Sequence, residues 1–293
     1  MKTLNYGSLN TDNVYSVDHI VVGGETISST KVEAFCGGKG LNQSIALAKA
    51  GVPVYHAGIV GEDGDMLLDA CREYGVDVSH VKQLPVKGGH CIIQVDQNGQ
   101  NCIILYGGTN QMQTDDFIDE VLADFGEGDI LVLQNEINKL SQIIDKAYAR
   151  GMKIVLNPSP FNEKVTECDL TKIWLFMLNE IEGEQCTGSD DPDTIVKILK
   201  ERYPACSIVL TLGSRGAMYY DGKEKLFQDI FKVKAVDTTA AGDTFTGFFL
   251  GSIIAGKSPA EALRIASKAS SIAVTRAGAV PSIPTMEEVL SSL

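Results

Sequence analysis

Residues Thr246-Gly247-Phe248-Phe249-Leu250-Gly251-Ser252-Ile253-Ile254 are apolar or small on nearly every side. A helix of that kind has no face to give to water, so the rest of the chain must enclose it. The stretch before it, Asp237-Thr238-Thr239-Ala240-Ala241-Gly242-Asp243, carries little side-chain bulk. The expected result is a helix N-terminus inside the protein, where the N–H groups of Ala241, Gly242 and Asp243 find little water. An anion would satisfy them. Asp243 itself has two readings there. It is either an N-cap or a general base beside a cradle for developing negative charge.

A large body is available to do the enclosing. Strand-like and helix-like segments alternate along most of the 293 residues. Val52 to Ile59 reads as a strand, followed by a helix with Met66, Leu67, Ala70, Cys71 and Tyr74 on one face and Gly75 at its end. A second helix begins with Ser141 as its expected cap and ends near Gly151. Strands over 153–156, 173–177 and 207–212, with a helix over 193–203, continue the rhythm. Strands that are apolar throughout, rather than alternating, predict a doubly wound, mostly parallel α/β sheet flanked by helices. One region departs from that pattern. Segments 14–20, 31–36 and 90–107 are expected to form a small β lid inserted within one main domain over 1–293, with Asn98-Gly99 as a hairpin turn.

Charge and cysteine usage narrow the partners. A net charge of −13 disfavours nucleic acid and anionic membrane, because phosphate-backbone binding needs clustered Lys and Arg. The seven cysteines are scattered with no C-x-x-C, and the four histidines lack metal-ligand spacing. These features, a polar N-terminus and the lack of any apolar run near ~20 residues lead to the expectation of a cytoplasmic protein.

A second glycine-rich stretch, Cys36-Gly37-Gly38-Lys39-Gly40-Leu41-Asn42-Gln43, invites a phosphate-loop reading and fails it. The pattern Gly-x-x-x-x-Gly-Lys-Ser/Thr needs a hydroxyl after the lysine, and here Gly40 follows Lys39. The dinucleotide fingerprint Gly-x-Gly-x-x-Gly is missing as well, which disfavours a nicotinamide oxidoreductase. Two readings remain: a turn that caps a helix, or a turn that a ligand approaches closely, with Lys39 and Asn42 as donors.

Taken together, the motifs resemble the ribokinase-like (PfkB) carbohydrate kinase family. Asp237-Thr238-Thr239-Ala240-Ala241-Gly242-Asp243 resembles the family signature D-T-x-A-A/G-G-D, and Gly37 to Asn42 resembles its G-G-K-G-x-N. Further matches follow in order along the chain: Asn10 and Asp12, Asn179-x-x-Glu182, Thr211 to Gly216, and the tail AVTRAGAVPSIP. The resemblance implies ATP-dependent phosphorylation of the primary hydroxyl of a small sugar, D-ribose to D-ribose 5-phosphate first among them. It implies that Asp243 is the base and that Ala240, Ala241 and Gly242 complete the phosphoryl cradle. Asn10, Asp12, Gly37, Gly38, Lys39, Asn42 and Glu136 would bind the sugar. Asn179, Thr211, Gly213, Ser214, Gly216, Gly242 and Ser267 would border the nucleotide, with Ser267 standing where relatives often carry a larger polar residue. Asn179 and Glu182 would organise Mg2+ through water. Asp237, Thr239, Ala273, Arg276, Gly278 and Ser282 would surround K+, mostly through carbonyls. The lid is where relatives often form homodimers.

Other sugars stay open: fructose, deoxyribose or a keto-deoxy sugar acid. Val21-Val22-Gly23-Gly24-Glu25 departs from the family, which more often has proline before Gly-Glu. Small lid residues such as Cys91 and Ile93 fit a five-carbon sugar. Tyr106 is the sole aromatic residue of the hairpin, which disfavours a nucleoside substrate. A sensor without catalysis would have no need of Asp243.

Overall fold

The computed structural model describes residues 1–293. A nine-stranded sheet runs, in spatial order, Lys225–Gln228, Ala217–Tyr220, Ser207–Thr211, Ile173–Asn179, Lys153–Asn157, Ile130–Gln134, Thr3–Tyr6, Val54–Val60 and Asp77–Gln83. Neighbours are parallel from Ser207–Thr211 to Asp77–Gln83. The remaining edge, Ala217–Tyr220 with Lys225–Gln228, is antiparallel. Successive residues of one strand serve opposite faces. Val132 joins a core with Leu41, Ile45, Phe248 and Phe249, while Leu131 and Leu133 join another with Phe117, Ile118, Ile143 and Ile144. Both faces of the sheet are therefore covered, which explains the continuous apolar runs.

The enclosed helix spans Ala241–Ile254, and every residue from Asp243 to Ser252 is buried. It packs between the helices Lys39–Lys49 and Pro259–Ala273. Gly247 sets how closely it meets the first of these, since a Cβ there would overlap the Ala46 side chain. Phe248, Phe249 and Leu250 are fully buried, each contributing roughly 1.5–3 kcal/mol from burial. The helix is thus anchored along its length, and its N-terminal turn inherits that rigidity.

The strand order turns about Thr3–Tyr6. From there the chain builds Val54–Val60 and Asp77–Gln83 on one side, then crosses to Ile130–Gln134 on the other. A crevice forms outside the carboxyl ends of strands at such a switch point. Ser8 to Asn10, Glu136 and Gly213 lie just past carboxyl ends of strands, and Asn157 and Asn179 are the last residues of theirs.

The lid is a separate four-stranded sheet in the order Lys31–Gly37, Asn10–Ser16, Gly89–Val95, Asn101–Tyr106. The Asn98-Gly99 hairpin forms as expected, with Gly99 at φ 78°. Its first strand begins four residues earlier than the expected 14–20 and ends at Ser16. Ladders to Lys31–Gly37 and Gly89–Val95 hold Asn10 to Asn13 extended, overriding the poor strand preference of Asn and Asp. Val32, Phe35, Ile92, Ile103, Ile104, Leu105 and Tyr106 are exposed on this sheet.

One expected cap is corrected, and of the two readings of Asp243 the cap is removed. Ser141 lies inside its helix, which starts at Leu140 behind a left-handed Lys139 (φ 59°). Asp243 is the third residue of the buried helix, and the cap position belongs to Ala240 (φ 57°). A left-handed alanine costs roughly 1–2 kcal/mol, so the surrounding packing holds that turn in place. No helix is long and apolar enough to cross a membrane.

Candidate active site

The left-handed Ala240 swings the chain into the buried helix so that its first turn faces the crevice. Ala241 N–H donates to Thr238 O (3.2 Å), while the N–H groups of Gly242 and Asp243 have no protein acceptor. The cradle thus has two free amides rather than three. Gly242 is exposed, so the helix N-terminus opens into a cavity instead of being sealed inside the protein. Two cavities meet there, sharing Thr211, Thr238, Ala241 and Gly242. The inner one is polar, with Lys39, Asn157, Asn179, Glu182 and Asp243 in its wall. The outer one is mostly apolar, walled by Ile230, Phe231, Val233, Phe245 and Val274, with Ser214 and Ser267 at its edge.

Asp243 is 7% exposed. Its Oδ1 accepts from Gln43 Nε2 (2.9 Å) and its Oδ2 from Asn42 Nδ2 (3.1 Å). Both donors sit on the helix Lys39–Lys49, which starts from Gly38 at φ 92°. That start is tied to the strand ends on either side. Glu136 Oε2 accepts from Lys39 N–H (2.9 Å) and from the Ser8 hydroxyl, while Gly40 N–H donates to Ser8 Oγ (3.2 Å). Glu136 therefore acts as a remote cap for the helix that presents Lys39 and Asn42, and its Oε1 is left without a protein donor.

Electrostatics tie these groups together. Burial pulls the Lys39 ammonium down, but the carboxylates of Asp243, Glu136 and Glu182 outweigh it and hold its pKa above the ordinary value. Burial raises Glu136 above the usual carboxylate range, against the opposing pull of Lys39 and Ser8. Asp12 is raised too, by burial and by Glu136, although the Cys91 thiol bonded to it works the other way. Asp12 lies across from Phe35 and Cys91 in the lid. A Cβ at Gly37 would overlap the Asp12 carboxylate, so this glycine makes room for the acid. Asn10 Oδ1 is held by Asn110 Nδ2 (2.7 Å).

Asn179 and Glu182 form a capping box on the helix Glu180–Thr187: Asn179 Oδ1 accepts from Glu182 N–H (2.9 Å), and Glu182 Oε2 accepts from Asn179 N–H (2.9 Å). The pair is structural and lines the inner cavity at once, with Glu182 Oε1 uncommitted. Thr211, Gly213 (φ 55°), Ser214 and Gly216 (φ 106°) turn the chain from one strand to the next along the outer cavity.

Of the residues expected around a monovalent cation, Asp237, Thr239 and Gly278 are bonded to one another. Asp237 Oδ1 accepts from Thr239 N–H and Oγ1–H (2.9 and 2.6 Å), and its Oδ2 accepts from Gly278 N–H (2.8 Å). Those bonds carry the Asp237 pKa below the usual range in spite of burial. The Arg276 guanidinium pairs with Glu288 (2.8 Å), and the Ser282 hydroxyl donates to Ala279 O (2.7 Å). Ala273 closes the helix beside this loop. The side chains are thus spent on one another, and backbone carbonyls are what the loop has to offer. No cluster of three or more His, Cys, Asp or Glu is arranged for a metal.

Sequence reasoning missed Ser8, Gln43 and Asn110, which are bonded to the expected site residues Glu136, Asp243 and Asn10, and Gln134, which reaches the site through Gln43; all four are buried. For Gln43 a signal existed: it and Ser44 interrupt the apolar run of a buried helix.

A model described as pfkB family carbohydrate kinase matches residues 2–286. The chain is 34% identical to ribokinase of Haemophilus influenzae, over 98% of this chain and 96% of that protein. Among solved structures it is similar to Cryptococcus neoformans ribokinase in complex with ADP, with TM-score 0.87, 31% identity, and 100% and 99% of the two chains covered. It is also similar to Arabidopsis thaliana ribokinase complexed with ribose and ATP, with TM-score 0.86, 30% identity, and 99% and 97% covered.

Proposed function

Because this chain belongs to the pfkB carbohydrate kinase family, we propose that it transfers the γ-phosphoryl group of ATP to the primary hydroxyl of D-ribose, giving D-ribose 5-phosphate. One observation carries the mechanism. A buried carboxylate and two free amides share one helix turn, where a polar cavity meets an apolar one. Asp243 takes the proton of the attacking hydroxyl, which binds the γ-phosphorus as the bond to the ADP oxygen breaks. The N–H groups of Gly242 and Asp243, at the positive end of the helix dipole, steady the charge on the phosphoryl oxygens. Positioning and charge stabilisation of this kind dominate phosphoryl transfer.

Asn10, Asp12, Gly37, Gly38, Asn42 and Glu136 take the sugar. Asn42 Oδ1 is buried without a donor, which suits a hydroxyl. Lys39 borders the inner cavity and serves the phosphoryl end as well as the sugar. The base takes the outer cavity beside Gly213, Ser214, Gly216 and Ser267, while Asn179 and Thr211 follow the phosphates. A Mg2+ ion would rely on phosphate oxygens and water with Glu182 nearby, in keeping with its reluctance to shed water; it would supply charge neutralisation on the phosphates. The carbonyls around Asp237, Thr239, Ala273, Arg276, Gly278 and Ser282 suit a monovalent cation such as K+. The exposed apolar side of the lid supports pairing with a second copy, which light scattering in solution would register.

The deciding assay offers D-ribose, 2-deoxyribose, fructose and a sugar acid with ATP and follows coupled ADP release. D-Ribose is expected to have the highest kcat/KM. Turnover confined to another sugar would overturn the substrate, and tight sugar binding without ADP release would favour a sensor.

A further inference from the structure

We propose that Gln43 and Gln134 are positioning residues that hold the Asp243 carboxylate in its working orientation through a one-directional chain of buried amides. The proposal rests on Asp243 being the base. Asn5, Gln43, Ser44 and Gln134 are completely buried. Each of the three amides can present either its oxygen or its nitrogen to a neighbour, and the chain decides which.

The far end sets the direction. Asn5 Nδ2 donates to Gly40 O (2.6 Å) and Ser44 Oγ (2.7 Å), which turns Asn5 Oδ1 towards Gln134. The Ser44 hydroxyl, accepting from Asn5, passes its own proton towards His56 Nδ1 (2.7 Å). Gln134 Nε2 then donates to both Asn5 Oδ1 (2.9 Å) and Gln43 Oε1 (2.6 Å). With its oxygen so engaged, Gln43 has only its Nε2 to offer Asp243 Oδ1 (2.9 Å). Gln134 Oε1 is left buried without a donor. Flipping Gln134 would not help: its oxygen would then face Asn5 Oδ1 and Gln43 Oε1, two acceptors, and both donations would be lost. The orphaned acceptor therefore accompanies the single orientation that aims an N–H at the carboxylate. Asn42 holds Oδ2 and Gln43 holds Oδ1, so the Asp243 carboxylate cannot rotate freely, and its remaining lone pairs keep one direction.

Gln134 borders neither cavity; its direct route to Asp243 runs through Gln43, and its bond to Asn5 leads only to Gly40 O and Ser44. Gln134→Glu removes both donations and invites Gln43 to turn its oxygen onto Asp243. We expect kcat to fall about 10- to 100-fold, with the sugar and ATP KM values within about threefold, as for a misplaced catalytic group. Gln134→Met, which leaves Gln43 undirected but not repelled, should lose less. In the double variant Gln43→Met/Gln134→Glu, kcat should match Gln43→Met alone within about twofold, because the second change has nothing left to act through. Folding is checked by thermal melting, and should Gln134→Glu not fold, Gln43→Met and Gln134→Met carry the same comparison. Losses that multiply in the double variant, a raised KM at unchanged kcat, or parental kcat in the folded single variants would overturn the relay. Asp243→Asn run beside them separates the two readings. If it turns over like the parent, the base assignment fails; if it is inactive while the relay variants are fully active, only the relay fails.

Discussion

The two ends of the site are made of different material. Around Asp12, Asn10, Glu136 and Asp243, side chains are fixed by other side chains, among them Asn110, Ser8, Asn42 and Gln43. Around Gly242 and the outer cavity, the work falls to free backbone N–H groups, glycines, small hydroxyls and an apolar wall. The contrast follows from what each ligand asks. Vicinal hydroxyls must be read one by one, which takes carboxylates and amides with a set direction. A triphosphate is read by charge at a helix N-terminus, and a base by apolar contact.

If the ends differ in this way, damage at each should have its own signature. The largest effect belongs where they meet: Asp243→Asn should lower kcat by about two to four orders of magnitude, with sugar binding by calorimetry little changed. Next come Asp12→Asn and Glu136→Gln, each removing a charged acceptor from the sugar end. The sugar KM should rise about 10- to 100-fold while the ATP KM holds, and equal rises in both would erase the distinction. Because the Asp12 and Glu136 pKa values are raised, their protonation begins above the usual carboxylate range. Sugar affinity should accordingly weaken on acidification at a higher pH than free carboxylates would give.

The third expectation probes the amide network from its deep end. His56 is fully buried, and burial lowers its pKa to about 4. The unfolded chain takes up a proton near pH ~6.5 and the folded protein does not, so stability is full above that pH and declines as pH falls towards 4. Urea unfolding should show a loss of about 2 kcal/mol between pH 7.5 and 5, roughly 30-fold in the equilibrium. His56→Gln should flatten that slope. Smallest is Gly242→Ala at the nucleotide end. A Cβ there meets nothing within 4 Å, so the melting temperature should hold or rise. The methyl group would stand in the phosphoryl path, however, and kcat should drop about tenfold.

The same contrast explains what could be read from the sequence. The proposed nucleotide end depends on local chemistry, and Asp237 to Asp243, Asn179-x-x-Glu182 and Gly213 to Gly216 are the contiguous motifs it rests on. The parallel core was legible for a similar reason, since strands buried on both faces must be apolar throughout. The proposed sugar end draws Asn10, Lys39 and Glu136 from separate segments of the chain, and only the family resemblance connected them. Gln43 and Gln134 lie 91 positions apart, and no spacing rule joins two glutamines at that distance. Local sequence left Asp243 open between a cap and a base, because its partners come from a helix two hundred residues away. The antiparallel edge went unread, although Asp221-Gly222 between Tyr220 and Lys225 carried a turn signal.

A crystal of the parent protein with D-ribose and an unreactive ATP analogue tests the central claim most directly. The terminal phosphate should rest on the Gly242 and Asp243 amides, with the sugar's primary hydroxyl roughly 2.6–3.2 Å from the Asp243 carboxylate. A triphosphate lodged away from that helix turn, or a sugar whose primary hydroxyl points elsewhere, would contradict it.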